Sequence, residues 1–159
     1  MSDSDLVKSG DSDLVKLYSG RILALAADIP HLGRLPAPEG SSRKRSPLCG
    51  STITVDVVLD KGRVTEFAQD VKACALGQAS ASVLGDVVLG RNRAELEAAR
   101  DAVAAMLTAS GPVPAAPFQG YEVLIPARNY KNRHASILLA LDATCEAVAQ
   151  AETGSEAAP

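Results

Sequence analysis

A chain of 159 residues, 47% of them hydrophobic but with only three Tyr, two Phe and no Trp, predicts one domain around an aliphatic core. A net charge of −3 argues against a general binder of phosphate backbones, and so few rings leave little to stack on single-stranded bases. The opening MSDSDLVKSG has no apolar stretch of the secretory type, and no run approaches the ~20 apolar residues of a membrane span. Together with an odd count of three cysteines, this predicts a cytoplasmic protein with reduced thiols and neither nucleic-acid nor membrane partners.

In chain order, DSDLVK occurs at residues 3–8 and again at 11–16, too short for a solenoid unit and read as a local duplication at a helix start. A helix is predicted over about residues 13–27, with Leu14, Leu17, Ile22 and Leu25 on one face. Residues 30–47, PHLGRLPAPEGSSRKRSP, are loop by composition. Ile53, Val55, Val57 and Leu59 then alternate with Thr54, Asp56 and Val58, the period of a half-buried strand. DKGR turns the chain, with Gly62 free to adopt positive φ, and residues 64–71 return as the second arm of a β-hairpin.

From Leu76 the pattern becomes helical, over about 76–88. A second helix is capped by Asn92 with Glu95 three residues on, and its apolar stripe is Leu96, Ala99, Val103 and Met106/Leu107. Residues 110–120 form a Pro/Gly loop, the last helix spans about 132–150, and 151–159 is expected to be a disordered tail. The order of helix, hairpin and packed helices is α+β, with residues 17–150 as a single domain after the duplicated segment 1–16.

Three cysteines and one histidine invite chemical readings. Cys49, in SPLCGS, lies between a proline and a glycine before the first strand; the loop opens the backbone around its sulfur, or the residue simply ends the strand. Cys74, in VKACALGQASAS, stands where a strand gives way to a helix, so unpaired N–H groups favour a thiolate there. The small residues Gly77, Ala79, Ser80 and Ala81 let that helix approach its neighbours, and the competing reading is a cysteine buried among alanines. Nothing local resembles a Cys–His protease or amidase, so a nucleophilic enzyme is the weakest reading. Cys145 falls in the apolar stripe of the last helix, ~16 Å along the axis from His134, and reads as core. Arg43, Lys44 and Arg45 read as a solvated loop, or as charges that lower a nearby thiol pKa or dock an acidic surface.

P-x-C-G before a hairpin, C-x-x-G-x-A-S-A-S at a strand-to-helix turn, and R-H-x-S-I-L-x-A opening a late helix occur in that order. Together they resemble the U-type iron–sulfur cluster assembly scaffolds (the IscU, SufU and NifU N-terminal family), over about residues 17–148. The resemblance implies a non-enzymatic scaffold that holds iron or a nascent [2Fe–2S] cluster, receives sulfur from a cysteine desulfurase and passes the cluster to apo-protein acceptors. Cys49 and Cys74 match the family's first two cysteines and His134 its histidine. Ser51 stands where the family has aspartate, and Ala135 where it has the third cysteine. A [2Fe–2S] cluster takes four ligands, so the set is incomplete unless a second copy in a homodimer, or an external thiol, completes it. The alternative is a divergent module of the same fold that binds zinc or no metal, since two thiolates and an imidazole suit tetrahedral zinc.

Overall fold

The alternation at 52–60 builds the middle of a small sheet. In the computed structural model, which describes residues 19–48 and 50–157, Thr52–Asp60 forms β2 and Arg63–Lys72 forms β3, paired antiparallel. Lys61 and Gly62 make the two-residue turn with φ of 52° and 79°, the primed geometry that suits strand twist. Ile53, Val55 and Val57 are fully buried on one face.

Gly40–Arg45 forms a third strand, β1, antiparallel to β2. This corrects the loop expected there. GSSRKR offers no apolar residue to reveal a period of two, because the buried positions on this strand are Gly40 and Ser42. A Cβ at Gly40 would collide with the carbonyl of Ala147, so glycine lets the strand lie directly on the last helix. Asp56 departs from the expected half-exposed alternation in the same way. It is fully buried, accepting from Arg34 Nε (2.6 Å) and Nη2 (3.1 Å), Ser41 Oγ (2.6 Å) and the backbone N–H of Leu35 (3.0 Å). Burial pushes this carboxyl up, and the bonds from Arg34, Ser41 and Leu35 outweigh it, so its pKa lies below the ordinary value.

Helix α1, Gly20–Ala27, is capped by Ser19 and buries Ile22; Leu14, Leu17 and the duplicated segment lie outside the described residues. Ala75–Val87 forms α2 and Arg93–Thr108 forms α3. Asn92 Oδ1 accepts from Glu95 N (2.9 Å) while Glu95 Oε1 accepts from Asn92 N (3.2 Å), completing the capping box. The residues α3 buries are Leu96, Ala99, Val103, Met106 and Leu107, the stripe expected from its sequence.

After the Pro/Gly stretch, Phe118–Asn129 coils as a 3-10 segment that periodicity did not reveal. It is anchored by buried Tyr121, whose hydroxyl donates to the carbonyl of Ser80 (3.0 Å). Helix α4, Lys131–Ala157, covers β1 and β2 and packs beside α2 and α3. It continues beyond Gln150, where composition suggested a tail, because Ala151 is still buried and Glu152 pairs with Arg93. Among the described residues, no helix is long and apolar enough to cross a membrane.

Candidate metal centre

The strand-to-helix turn expected at Cys74 is present. Lys72 ends β3, and Cys74 is the N-cap of α2. Its half-buried side chain makes no capping hydrogen bond, but Sγ lies 3.5 Å from Ser136 Oγ, with the backbone N–H groups of Gly77 and Leu76 close enough to act on its charge. Burial pushes the thiol up, but the Ser136 hydroxyl, those two N–H groups and the charge of Arg133 together hold its pKa below the ordinary value.

Ser136 reaches Cys74 because α2 and α4 touch where α2 has no side chain. A Cβ at Gly77 would lie 2.6 Å from Ser136 Oγ and 3.2 Å from the Ser136 carbonyl. The same hydroxyl is 3.0 Å from Ser51 Oγ. Ser51 closes the loop over 46–51, where Ser46 N donates to its carbonyl (2.8 Å) and Gly50 N donates to Ser46 O (2.8 Å). Cys49 itself lies outside the described residues. The loop bearing it is therefore held to Cys74 through two serine hydroxyls.

His134 is 8% exposed, and its Nε2 lies 2.9 Å from the carbonyl of Ala127. A carbonyl only accepts, so Nε2 carries a proton, and Nδ1 is the nitrogen whose lone pair could bind a metal. His134 and Ser136 are two positions apart, which is ~200° around a helix, so the ring leaves α4 on a different side from the hydroxyl that meets Cys74. Among the described residues no three His, Cys, Asp or Glu side chains are grouped to hold a metal.

The two departures from the family pattern differ in setting. Ala135 is exposed at the start of α4, whereas Ser51 is 2% exposed and turned onto Ser136. Cys145 is half-buried beside the core, and burial, with Glu97 and Asp142 nearby, pushes its thiol up to about 12. The Arg43–Arg45 run is strand rather than loop, and Lys44 pairs with Glu146 of α4. Reading the sequence gave Ser136 no role, although it stands inside R-H-x-S-I-L; a lone serine carries no signal of what it faces.

A three-stranded antiparallel sheet backed by helices, with a thiol of lowered pKa at a strand-to-helix turn beside a loop that carries a second cysteine, defines a small thiol-bearing α+β domain. The chain belongs to the NifU-like N terminal domain family, which matches residues 17–150. It is similar to the N-terminal part of a nitrogen-fixing NifU-like protein from Brucella abortus, with 44% identity and a TM-score of 0.86 over 89% of this chain and 98% of that one. Its fold is shared by a putative iron–sulfur cluster assembly scaffold protein for the SUF system from Fervidobacterium islandicum AW-1, with 18% identity and a TM-score of 0.74 over 84% of this chain and 98% of that one. It is also 27% identical over 96 residues to the iron–sulfur cluster assembly scaffold protein IscU of Streptococcus pyogenes serotype M1. The match spans 60% of the length of each.

Proposed function

We propose that this protein is an iron–sulfur cluster assembly scaffold that carries iron or a [2Fe–2S] cluster as cargo on Cys49, Cys74 and His134, with a ligand set short of four. The observation that carries this reading is the Cys74 thiol, lowered in pKa and linked through Ser136 and Ser51 to the loop containing Cys49. A thiolate is the soft ligand that the irons of a cluster take, and a lowered thiol pKa favours it. The Nδ1 lone pair of His134 is the imidazole donor at the same end of α4; because the ring leaves the helix on a different side from Ser136, joining Cys74 requires the first turn of α4 to rearrange. A second copy of the chain or an external thiol supplies the remaining ligand. On this reading the protein is not an enzyme: it receives sulfur from a cysteine desulfurase and yields the cluster to apo-protein acceptors, as the family membership supports.

One observation favours the second reading, a zinc-binding or metal-free interaction module. Ser51 is buried against Ser136, so the position where the family has a carboxylate is turned away from solvent. Anaerobic reconstitution with ferrous iron and sulfide, followed by counting iron, zinc and acid-labile sulfide per chain, separates the two. Iron and sulfide in equal amounts, lost in Cys74→Ala, support the scaffold; zinc without sulfide, or no metal, supports the module.

A further inference from the structure

The run Arg43-Lys44-Arg45 is split by the strand it belongs to. Successive residues of a strand point to opposite faces, so Lys44 turns to Glu146 on α4 while Arg43 and Arg45 face away from the helices. The register extends this second face across the sheet: Arg43 pairs with Thr54, which pairs with Asp70, and Arg45 pairs with Thr52, which pairs with Lys72. Arg34 lies over the same face, held by Asp56 yet with 57% of its side chain exposed. Arg43, Arg45 and Lys72 are exposed and have no ion pair or side-chain hydrogen bond among the described residues. These cations and the Thr52 and Thr54 hydroxyls surround the carboxylate of Asp70, whose charge acts on Arg34.

We propose that this open sheet face is a docking groove for an extended acidic segment of a partner protein. Its volume of about 460 Å³ suits a short stretch of chain rather than a single carboxylate. Charge complementarity selects the occupant, because the groove is cationic on a molecule whose net charge is −3. A nucleic acid fits less well: among the described residues lining the groove there is no aromatic ring for base stacking, and Asp70 would oppose the phosphates. The place of the groove gives the docking a purpose. Lys72 is two residues before Cys74, and Arg45 and Thr52 flank the 46–51 loop, so a bound segment lies beside the thiol-bearing turn. This surface does not depend on the cluster reading above and stands or falls separately.

The test is fluorescence anisotropy with a labelled glutamate-rich decapeptide at low ionic strength, where screening is weak. The native chain is expected to bind it, and added salt to weaken the complex. Arg43→Glu/Arg45→Glu should lower affinity by about tenfold or more, whereas Lys61→Glu/Arg21→Glu, an equal charge change elsewhere on the surface, should alter it by less than about twofold. Lys72→Ala, which adds no acid and leaves β1 intact, should weaken binding by about two- to fivefold. Absence of binding to the native chain, or equal losses in the two double variants, would overturn the proposal. So would an oligothymidylate that binds as tightly as the peptide.

Discussion

Replacing Gly77 by alanine tests the contact on which the site depends. The new methyl carbon would fall 2.6 Å from Ser136 Oγ and 2.8 Å from the Cβ of Ala73. The hydroxyl can rotate aside only by giving up its contacts with Cys74 and Ser51, at about 1 kcal/mol each. Ala73 has no such freedom, and the 3.2 Å approach to the Ser136 carbonyl forces α2 and α4 apart. Overpacking of this kind costs about 1–3 kcal/mol, against about 1 kcal/mol gained from alanine's helix propensity. Gly77→Ala is therefore expected to lose about 2–4 kcal/mol in urea denaturation. It should also raise the pH at which Cys74 alkylates, since the Ser136 hydroxyl no longer stabilises the thiolate. Gly20→Ala, with no neighbouring atom within 4 Å, is the control and should be neutral or stabilising. If Gly77→Ala matched that control in stability and left the alkylation profile unmoved, the α2–α4 contact at Ser136 would not hold the site.

Cys74 should alkylate far faster than Cys145 in the native metal-free chain at pH 8, because a thiol at about 12 is roughly one part in ten thousand thiolate there; peptide mapping reads the ratio. Asp56→Asn should cost about 1–3 kcal/mol at neutral pH by weakening the charge-assisted bonds from Arg34 and Ser41. Because the folded pKa of Asp56 is depressed, its contribution is fully present above the unfolded value of about 4 and lost as pH falls through the folded value. Acid denaturation should therefore be less steep in the variant. Ala135→Cys places a thiol at an exposed position beside His134 and should raise iron and sulfide per chain, whereas Ser51→Asp puts a carboxylate against Ser136 and should lower stability unless the side chain turns outward. If Ala135→Cys folds normally and assembles no more cluster than the parent, missing ligands are not the limitation.

The parts of the fold legible in the sequence were those whose burial is apolar and periodic. The β2–β3 hairpin and the five buried residues of α3 follow from spacing alone. What escaped depends on residues whose partners are distant in sequence. β1 hides because its inward positions are Gly40 and Ser42, and Asp56 is buried because Arg34 and Ser41 reach across to it. The site divides the same way. The helix start at Cys74 announces itself locally through the strand ending before it and the small residues after it. Ser136, 62 residues away, is recognisable only once Gly77 has brought α4 against α2. The family resemblance assigns His134 as a ligand; its Nε2 is already engaged by the Ala127 carbonyl, which leaves Nδ1 as the nitrogen to test.

On the proposed function, Cys74 and the loop carrying Cys49 serve one metal site with His134. Titrating cadmium into the reduced, anaerobic chain tests it most directly, because the cadmium NMR shift and thiolate charge-transfer absorption report how many sulfurs bind. One tight cadmium per chain, bound by two thiolates and an imidazole, is the expected result. One thiolate should be lost in Cys49→Ala or Cys74→Ala, the imidazole in His134→Ala, and neither in Cys145→Ala. Tight binding by a single thiolate, or binding indifferent to Cys49→Ala, would contradict it.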